Sequence, residues 1–110
     1  MDGVSKAKTR RVLAFESMRR AEQAGEADGW QDRSRCVTEG LDAMTLFPEE
    51  PGPELARARQ MCMGCPEASS CVAKALSLGS NCIGVWGGTT WADRRAYRSW
   101  LSKQRRKGAA

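Results

Sequence analysis

The sequence lacks histidine altogether and has four prolines, two phenylalanines and a single tyrosine. Without histidine the chain has no Cys₂His₂ zinc site, no Cys–His nucleophile pair and none of the commonest general base. No apolar run approaches the length of a membrane span, and residues 1–20 contain no apolar core of a secretory signal. β-Branched residues never alternate with period two, as they would in a half-buried strand. We therefore expect a helical, cytoplasmic protein that is not an enzyme.

The chain has 110 residues, which is room for one domain with a modest apolar core. Chains of this size often need an added staple, and the five cysteines offer one. In a reducing cytoplasm, clustered cysteines indicate metal ligands more often than disulfides.

Charge is distributed unevenly along the chain, which carries a net +5. Lys and Arg dominate residues 1–20 and 91–110, whereas acidic residues are in excess over residues 21–90. An acidic centre between basic ends indicates two kinds of partner surface, one of which suits a polyanion.

The pattern predicts a helix over residues 4–23, with Val12, Phe15 and Met18 on one face. A short helix is expected from Asp28 or Gly29 to about Cys36, with Asp28 as a candidate N-cap. The second half of the segment 40–52 is rich in proline and glycine, which predicts a loop.

Pro53 and Pro66 suit the first positions of two further helices, the first ending near Met61 or Met63 and the second at Gly79. Thr90 and Asp93 resemble a capping box for a last helix. Its apolar positions Ala92, Ala96, Tyr97, Trp100 and Leu101 share one face, with Arg94, Arg95 and Arg98 on the other. The fold class is therefore mainly α, a small single-domain bundle of about four to five short helices with a glycine-rich turn.

The cysteines form a constellation with metal-ligand spacing. Cys62 and Cys65 form a C-x₂-C pair, Cys71 follows, and Cys36 lies upstream. Four thiolates without imidazole suit either Zn²⁺ or an iron–sulfur cluster. Structural Cys₄ zinc sites usually use two C-x₂-C pairs, which favours the cluster mildly. Disulfide exchange through Cys62 and Cys65 is a further alternative, although the βαβ context of a thioredoxin motif is missing.

A wider motif surrounds these cysteines, over roughly residues 28–95. Its parts, in order, are Trp30, Cys36, Asp42, Leu46-Phe47-Pro48, Cys62-x₂-Cys65-Pro66-x₄-Cys71, Ala75-Leu76, Gly84-Val85-Trp86-Gly87-Gly88 and Arg94. This order resembles the WhiB-like family of actinobacterial and actinophage transcription regulators. The resemblance implies a helical bundle wrapped around a [4Fe–4S] cluster, with Cys36, Cys62, Cys65 and Cys71 as ligands, sensitive to O₂ and nitric oxide. It also implies binding to region 4 of the primary sigma factor of RNA polymerase.

On the residues alone, Trp86 is either a core residue or a partner anchor. Within this resemblance it is expected to be the anchor for the sigma factor. Contributions are expected from Phe47 and from the rest of the glycine turn, namely Gly84, Val85, Gly87 and Gly88. Cys82 stands outside the ligand set, and we expect a free or partly buried thiol there. The alternative is a resolving thiol that acts after cluster loss.

The basic C-terminal end is expected to contact the phosphates of promoter DNA. The candidate residues are Arg94, Arg95, Arg98, Lys103, Arg105, Arg106 and Lys107. No aromatic side chain is interleaved among residues 103–107, which indicates phosphate contact without base reading, either on one face of the last helix or in the tail beyond it.

We accordingly divide the chain into three parts. Residues 1–27 form a basic N-terminal arm or helix, residues 28–90 the iron–sulfur domain, and residues 91–110 a basic helix and tail. The predicted function is regulation of transcription in the cytoplasm, on the nucleoid or in the host cell of a phage, with no membrane partner. The alternatives are a zinc-stapled DNA-binding module and a protein disulfide reductase in the apo form.

Overall fold

The computed structural model describes residues 8–109. The elements are α1 (Arg10–Ala24), α2 (Trp30–Arg33), α3 (Arg35–Thr38), a 3-10 helix (Ala43–Leu46), α4 (Leu55–Cys62), α5 (Ala68–Ser77) and α6 (Trp91–Ala109). Within these residues the only β feature is an isolated bridge between Trp86 and Thr89. The mainly helical fold class is confirmed.

The core lies where α1, α5 and α6 meet. Phe15 packs against Trp100, with ring centroids 5.5 Å apart, and against Tyr97 at 6.5 Å. The fully buried Tyr97 donates a 2.6 Å hydrogen bond to the carboxylate of Glu22. The buried members of this cluster are Phe15, Met18, Ala21, Val72, Leu76, Tyr97 and Leu101. Burial of this apolar face fixes the three longest helices against each other.

Helix α1 begins with a side-chain cap, because the hydroxyl of Thr9 accepts a 3.1 Å hydrogen bond from the backbone N–H of Val12. The predicted start at Val4 lies outside the described residues. The predicted buried face is largely confirmed, since Phe15 and Met18 are buried and Val12 is half-buried.

Helix α6 begins with the predicted capping box. The N–H of Asp93 donates to Thr90 Oγ1 and the N–H of Thr90 donates to Asp93 Oδ2, each at 2.9 Å. A third group joins them from the preceding loop. The carboxylate of Glu50 accepts hydrogen bonds from the N–H groups of Trp91, at 3.0 Å, and Ala92, at 3.2 Å. Three side chains thus satisfy the exposed donors of this helix end.

The C-terminal basic run is helical as far as Ala109, so of the two predicted settings, helix face or tail, residues 103–107 lie on the helix. Lys, Arg and Gln all have high helix propensity, and residues 91–107 contain no glycine or proline. The structure therefore presents these charges at helical spacing.

The single short helix predicted to end near Cys36 is also wrong, because Ser34 separates α2 from α3 with an extended backbone, φ −69° and ψ 149°. Its hydroxyl donates a 2.6 Å hydrogen bond to the carbonyl of Gln31, a local bond that competes with helix continuation. The N-cap of α2 is Gly29 and not Asp28.

Helices α4 and α5 correspond to the two helices predicted after Pro53 and Pro66, and each begins two residues beyond its proline. None of the described helices is both long enough and apolar enough to cross a membrane.

Candidate metal centre

Four cysteines from three helices and one turn converge on one region. Cys36 lies in α3, Cys62 ends α4, Cys65 lies in the following turn, and Cys71 lies in α5. The negative charges of the other three sulfurs all raise the pKa of Cys71, so the four sulfurs interact electrostatically. The residues predicted as ligands are therefore brought together.

Burial is the main influence on two of these thiols. It raises the pKa of Cys71 to about 12 and raises the pKa of Cys62 as well. Hydrogen bonds from the backbone of Gly88 and Gly87 oppose this rise at Cys62, and Gly87 does the same at Cys71. Thiols with raised pKa values are poor nucleophiles at neutral pH, which weighs against disulfide exchange through Cys62.

Each of the four sulfurs has a polar partner. The N–H of Arg35 donates to Cys65 Sγ at 3.3 Å, and the hydroxyl of Ser34 lies 3.4 Å from Cys36 Sγ. The backbone of Gly87 lowers the pKa of both Cys62 and Cys71. Hydrogen bonds to sulfur are a principal means by which proteins set the potential of an iron–sulfur cluster. The donor set and its hydrogen bonds fit such a group.

The spacing of the sulfurs bears on which metal they suit. Within residues 8–109, no three His, Cys, Asp or Glu side chains stand close enough together to hold a single ion. The thiolates of a [4Fe–4S] cluster bind four separate iron atoms, so they stand farther apart than the ligands of one Zn²⁺. The described residues therefore do not present the ligand set of one zinc ion.

Arg35 holds the end of α4 beside the cysteines, a role that the sequence did not reveal. Its Nη1 donates to the carbonyls of Gln60, Met61 and Met63 at 3.3, 3.4 and 3.0 Å. The carbonyl of Gln60 also accepts a 3.1 Å hydrogen bond from the N–H of Met63. The guanidinium adds a donor to each of the three carbonyls at this helix end and fixes the approach of Cys62.

The glycine turn packs tightly against its neighbours at two positions. Gly84 has φ +95°, and a Cβ there would come within 2.6 Å of the Phe47 ring. Gly87 has φ +57°, and a Cβ there would overlap the carbonyl oxygen of Ala68 and approach Val72 to 2.6 Å. Only glycine satisfies both the backbone conformation and the close approach. The turn is thereby pressed onto the helix that carries Cys71.

Arg94 anchors the same turn from the other side. Its side chain is buried, 1% exposed, and donates to the carbonyls of Thr89, Cys82 and Gly84 at 2.7, 3.0 and 2.9 Å. The prediction that Arg94 contacts DNA is wrong, because its guanidinium is enclosed by backbone carbonyls and cannot reach a phosphate.

The residues expected to meet a sigma factor divide by exposure. Trp86 is half-buried and donates a 2.9 Å hydrogen bond to the carbonyl of Ile83, and Phe47 is 44% exposed. Gly84 and Val85 are buried, so the prediction that they contact a partner is wrong. Ile83, 64% exposed, lines a groove together with Phe47 and was missed because a single apolar residue carries no pattern.

The remaining predicted DNA contacts lie along α6. Arg95 is exposed and stacks on Trp91, 5.1 Å from the ring centroid. Arg98 is half-buried and donates to the carbonyl of Leu76 at 3.2 Å. The four cations of the terminal run are exposed, namely Lys103, Arg105, Arg106 and Lys107.

Cys82 lies apart from the other four cysteines. Its backbone carbonyl accepts a 3.0 Å hydrogen bond from Arg94, and its thiol lies 3.8 Å from the carbonyl of Ile83. The structure places it beside the glycine turn as a half-buried thiol.

Residues 30–97 match the family model described as transcription factor WhiB. The chain is 33% identical over 76 residues to the redox-responsive transcriptional regulator WhiB3 of Mycolicibacterium smegmatis, an alignment that covers 62% of this chain and 76% of that protein. It is 36% identical over 73 residues to the transcriptional regulator WhiB1 of Mycobacterium tuberculosis, covering 63% and 83%. No solved structure matches the chain significantly. The family match spans more than half of the chain and includes the four converging cysteines and the glycine turn, and the protein belongs to the WhiB family of transcription factors.

Proposed function

We propose that this transcription factor holds a [4Fe–4S] cluster on Cys36, Cys62, Cys65 and Cys71, docks on region 4 of the primary sigma factor, and contacts promoter DNA through α6. The observation that carries the proposal is the convergence of the four cysteines beside a glycine turn whose backbone lowers the pKa of Cys62 and Cys71. When bound, the cluster supplies a redox-labile centre that O₂ or nitric oxide degrades.

The protein's own residues link that centre to a surface. Cys71 lies on α5, onto which Gly87 is pressed, and Trp86 precedes Gly87 in the turn. Arg94 fixes the carbonyls on the opposite side of the turn. Loss of the cluster would free Cys62 and Cys71 from their common ligand, and α5, onto which the turn packs, would be held less firmly. The presentation of Trp86 therefore depends on cluster integrity.

The sigma-facing surface is proposed to consist of Trp86, Phe47 and Ile83. Exposed aromatic and aliphatic side chains beside a half-buried tryptophan are typical of an interface anchor. Ile83 and Phe47 are 64% and 44% exposed, although both are large hydrophobic residues.

The DNA-facing surface is proposed to be the solvent face of α6. Its exposed cations recur at helical spacing from Arg95 to Lys107 and can follow a phosphate backbone. These cations belong to a helix, so their backbone positions are fixed relative to one another.

The test is anaerobic purification of the full chain, followed by iron and sulfide analysis and pull-down of sigma region 4. We expect iron and labile sulfide each to approach about four per chain. We also expect sigma region 4 to be retained by the cluster-loaded protein and released after oxidative cluster loss. Stoichiometric zinc without sulfide would contradict the cluster, and sigma binding that is indifferent to cluster loss would contradict the coupling.

A further inference from the structure

A groove runs between the N-terminal half of α1 and the solvent side of α6. Three aromatic side chains line it, Phe15, Trp91 and Trp100, and three cations stand among them, Arg11, Arg95 and Lys103. A second groove continues from Trp100 and Lys103 toward Arg106 and Lys107. No acidic side chain from the described part of the chain lines either groove.

Two of the cations are stacked on aromatic rings. The guanidinium of Arg11 lies 5.5 Å from the centroid of Phe15, and that of Arg95 lies 5.1 Å from the centroid of Trp91. A stacked guanidinium is held with its N–H edges free to bind a phosphate, and less side-chain entropy is lost when it does.

Each acidic residue of the two helices has another partner, and none lines the grooves. Glu16 pairs with Lys8 at 2.7 Å, Glu22 accepts the hydrogen bond of Tyr97, and Asp93 pairs with Arg59 at 3.0 Å. The groove therefore keeps its positive potential, which selects a polyanionic ligand.

Trp100 stands at the junction of the two grooves, half-buried, with cations on both sides. The sequence places no aromatic residue within the run 103–107, but the helix brings Trp100 beside Lys103, Gln104 and Lys107. In a duplex, neighbouring bases cover the faces of each base, so a tryptophan side chain cannot stack on them. An unpaired base in a single strand can stack on the indole ring of Trp100.

We propose that this groove binds single-stranded DNA, with Trp100 stacking on an unpaired base and Arg11, Arg95 and Lys103 contacting the flanking phosphates. The inference rests on the proposed DNA contact by α6 and adds α1 to that surface. It gives the protein a preference for the opened strand of a promoter over the closed duplex.

The experiment measures binding of the full-length protein, purified without oxygen, to one labelled oligonucleotide as a single strand and as a duplex. We expect Trp100→Leu to weaken single-strand binding about tenfold and duplex binding less than about twofold, since stacking acts only on unpaired bases. Arg11→Gln should weaken both. The matched control is Arg57→Gln, which removes the same charge from an exposed position that lines neither groove. Equal losses for the two DNA forms in Trp100→Leu would overturn the proposal.

Trp100 also packs on Phe15 and Tyr97, so helical content of each variant is checked by circular dichroism. If Trp100→Leu does not fold, the wild-type protein is photo-crosslinked to a single strand that carries iodouracil. A crosslink to the peptide that contains Trp100 supports the proposal, and crosslinks confined to other peptides overturn it. Polyglutamate is used as a competitor at the same total charge as unlabelled DNA. If polyglutamate displaces the labelled strand as effectively as unlabelled DNA does, the groove binds an acidic protein segment instead.

The proposed function and the proposed single-strand groove can be tested independently of each other. Single-strand binding that depends on Trp100 in a protein without effect on transcription would leave the groove intact and remove the regulatory role. Duplex binding in a protein whose single-strand binding does not respond to Trp100→Leu would leave the regulatory role and remove the groove.

Discussion

Arg94 on α6 donates a 2.9 Å hydrogen bond to the carbonyl of Gly84, which lies at the start of the glycine turn. The same guanidinium binds the carbonyls of Cys82 and Thr89, on either side of that turn. One side chain thus closes the turn against the helix that carries the basic surface, and its positive charge is used inside the protein.

Replacing Arg94 by Gln should destabilise the protein without acting on DNA contacts directly. The change leaves buried carbonyls without a donor, which typically costs about 1–3 kcal/mol of unfolding free energy. Chemical denaturation followed by circular dichroism measures it. The neighbouring Arg95→Gln is the control, because Arg95 is exposed; it should change stability little and weaken DNA binding. The reverse pattern would return Arg94 to the DNA surface.

Serine at position 36, 62, 65 or 71 should abolish the cluster and much of the helical content. Metal binding in a chain with so small a core is largely folding free energy. Absorbance near the cluster band, iron content and circular dichroism measure the loss in anaerobic protein. Cys82→Ser, the control, should retain the cluster. Bleaching by Cys82→Ser with retention of colour in Cys36→Ser would refute the ligand assignment.

Alanine at Gly87 should loosen the turn and lower cluster content. The added Cβ meets the backbone of Ala68 and the side chain of Val72, and the residue must keep φ +57°. We expect a loss of about 2–4 kcal/mol in unfolding free energy. Gly40→Ala is a matched control, since Gly40 has φ +61° with open space around its Cβ and suffers the backbone strain alone. Equal losses in the two variants would show that the close approach contributes nothing.

Replacing Trp86 by Ala should weaken binding of sigma region 4 by about 2 kcal/mol, a typical contribution for a tryptophan anchor. Isothermal titration measures the affinity, with DNA binding as a second readout that should change less. Leu13→Ala provides the comparison, since Leu13 is 52% exposed on α1 and belongs to no proposed surface. A variant that keeps its sigma affinity and loses only thermal stability would identify Trp86 as a core residue.

Neutralising Lys103, Arg105, Arg106 and Lys107 together with Gln should lower duplex affinity at every sequence alike. The slope of log affinity against log salt should fall by roughly 0.9 for each phosphate that the variant no longer neutralises. Glutamine keeps the helix propensity, so α6 should remain intact. Titrations of the sigma complex across a salt series measure the slope. An unchanged slope, or a parallel loss of sigma affinity, would show that the two surfaces are not separate.

The local signals of the sequence proved the most reliable guide to the fold. Thr90 and Asp93 form the capping box that their spacing predicted, because both partners lie within one turn of helix. Phe15 and Met18 are buried as their spacing on one helix face predicted. The convergence of the four cysteines was expected from the family resemblance, and their spacing alone left zinc and iron–sulfur chemistry open.

The failures arise where a distant segment decides the outcome. Arg94 was assigned to solvent because a helical pattern treats charge as exposed, whereas the glycine turn supplies the carbonyls that bury it. Arg35 gave no signal because its three acceptors end a helix 25 to 28 residues farther along the chain. Trp100 was missed because an aromatic residue near the basic run was sought only within residues 103–107. In a helix, Trp100 lies beside Lys103 and Lys107, because residues three, four and seven apart share a face.

The carboxylate of Glu50 has a mechanical consequence. It holds the first N–H groups of α6, and it lies three residues after Phe47 in the same loop. The loop that carries Phe47 thereby stabilises the N-terminus of a helix about 28 Å long, given 1.5 Å per residue. Tyr97 and Leu101 hold the body of that helix in the core. Loss of the Glu50 carboxylate would therefore loosen the first turn of α6 and leave its far end, with the terminal cations, in place.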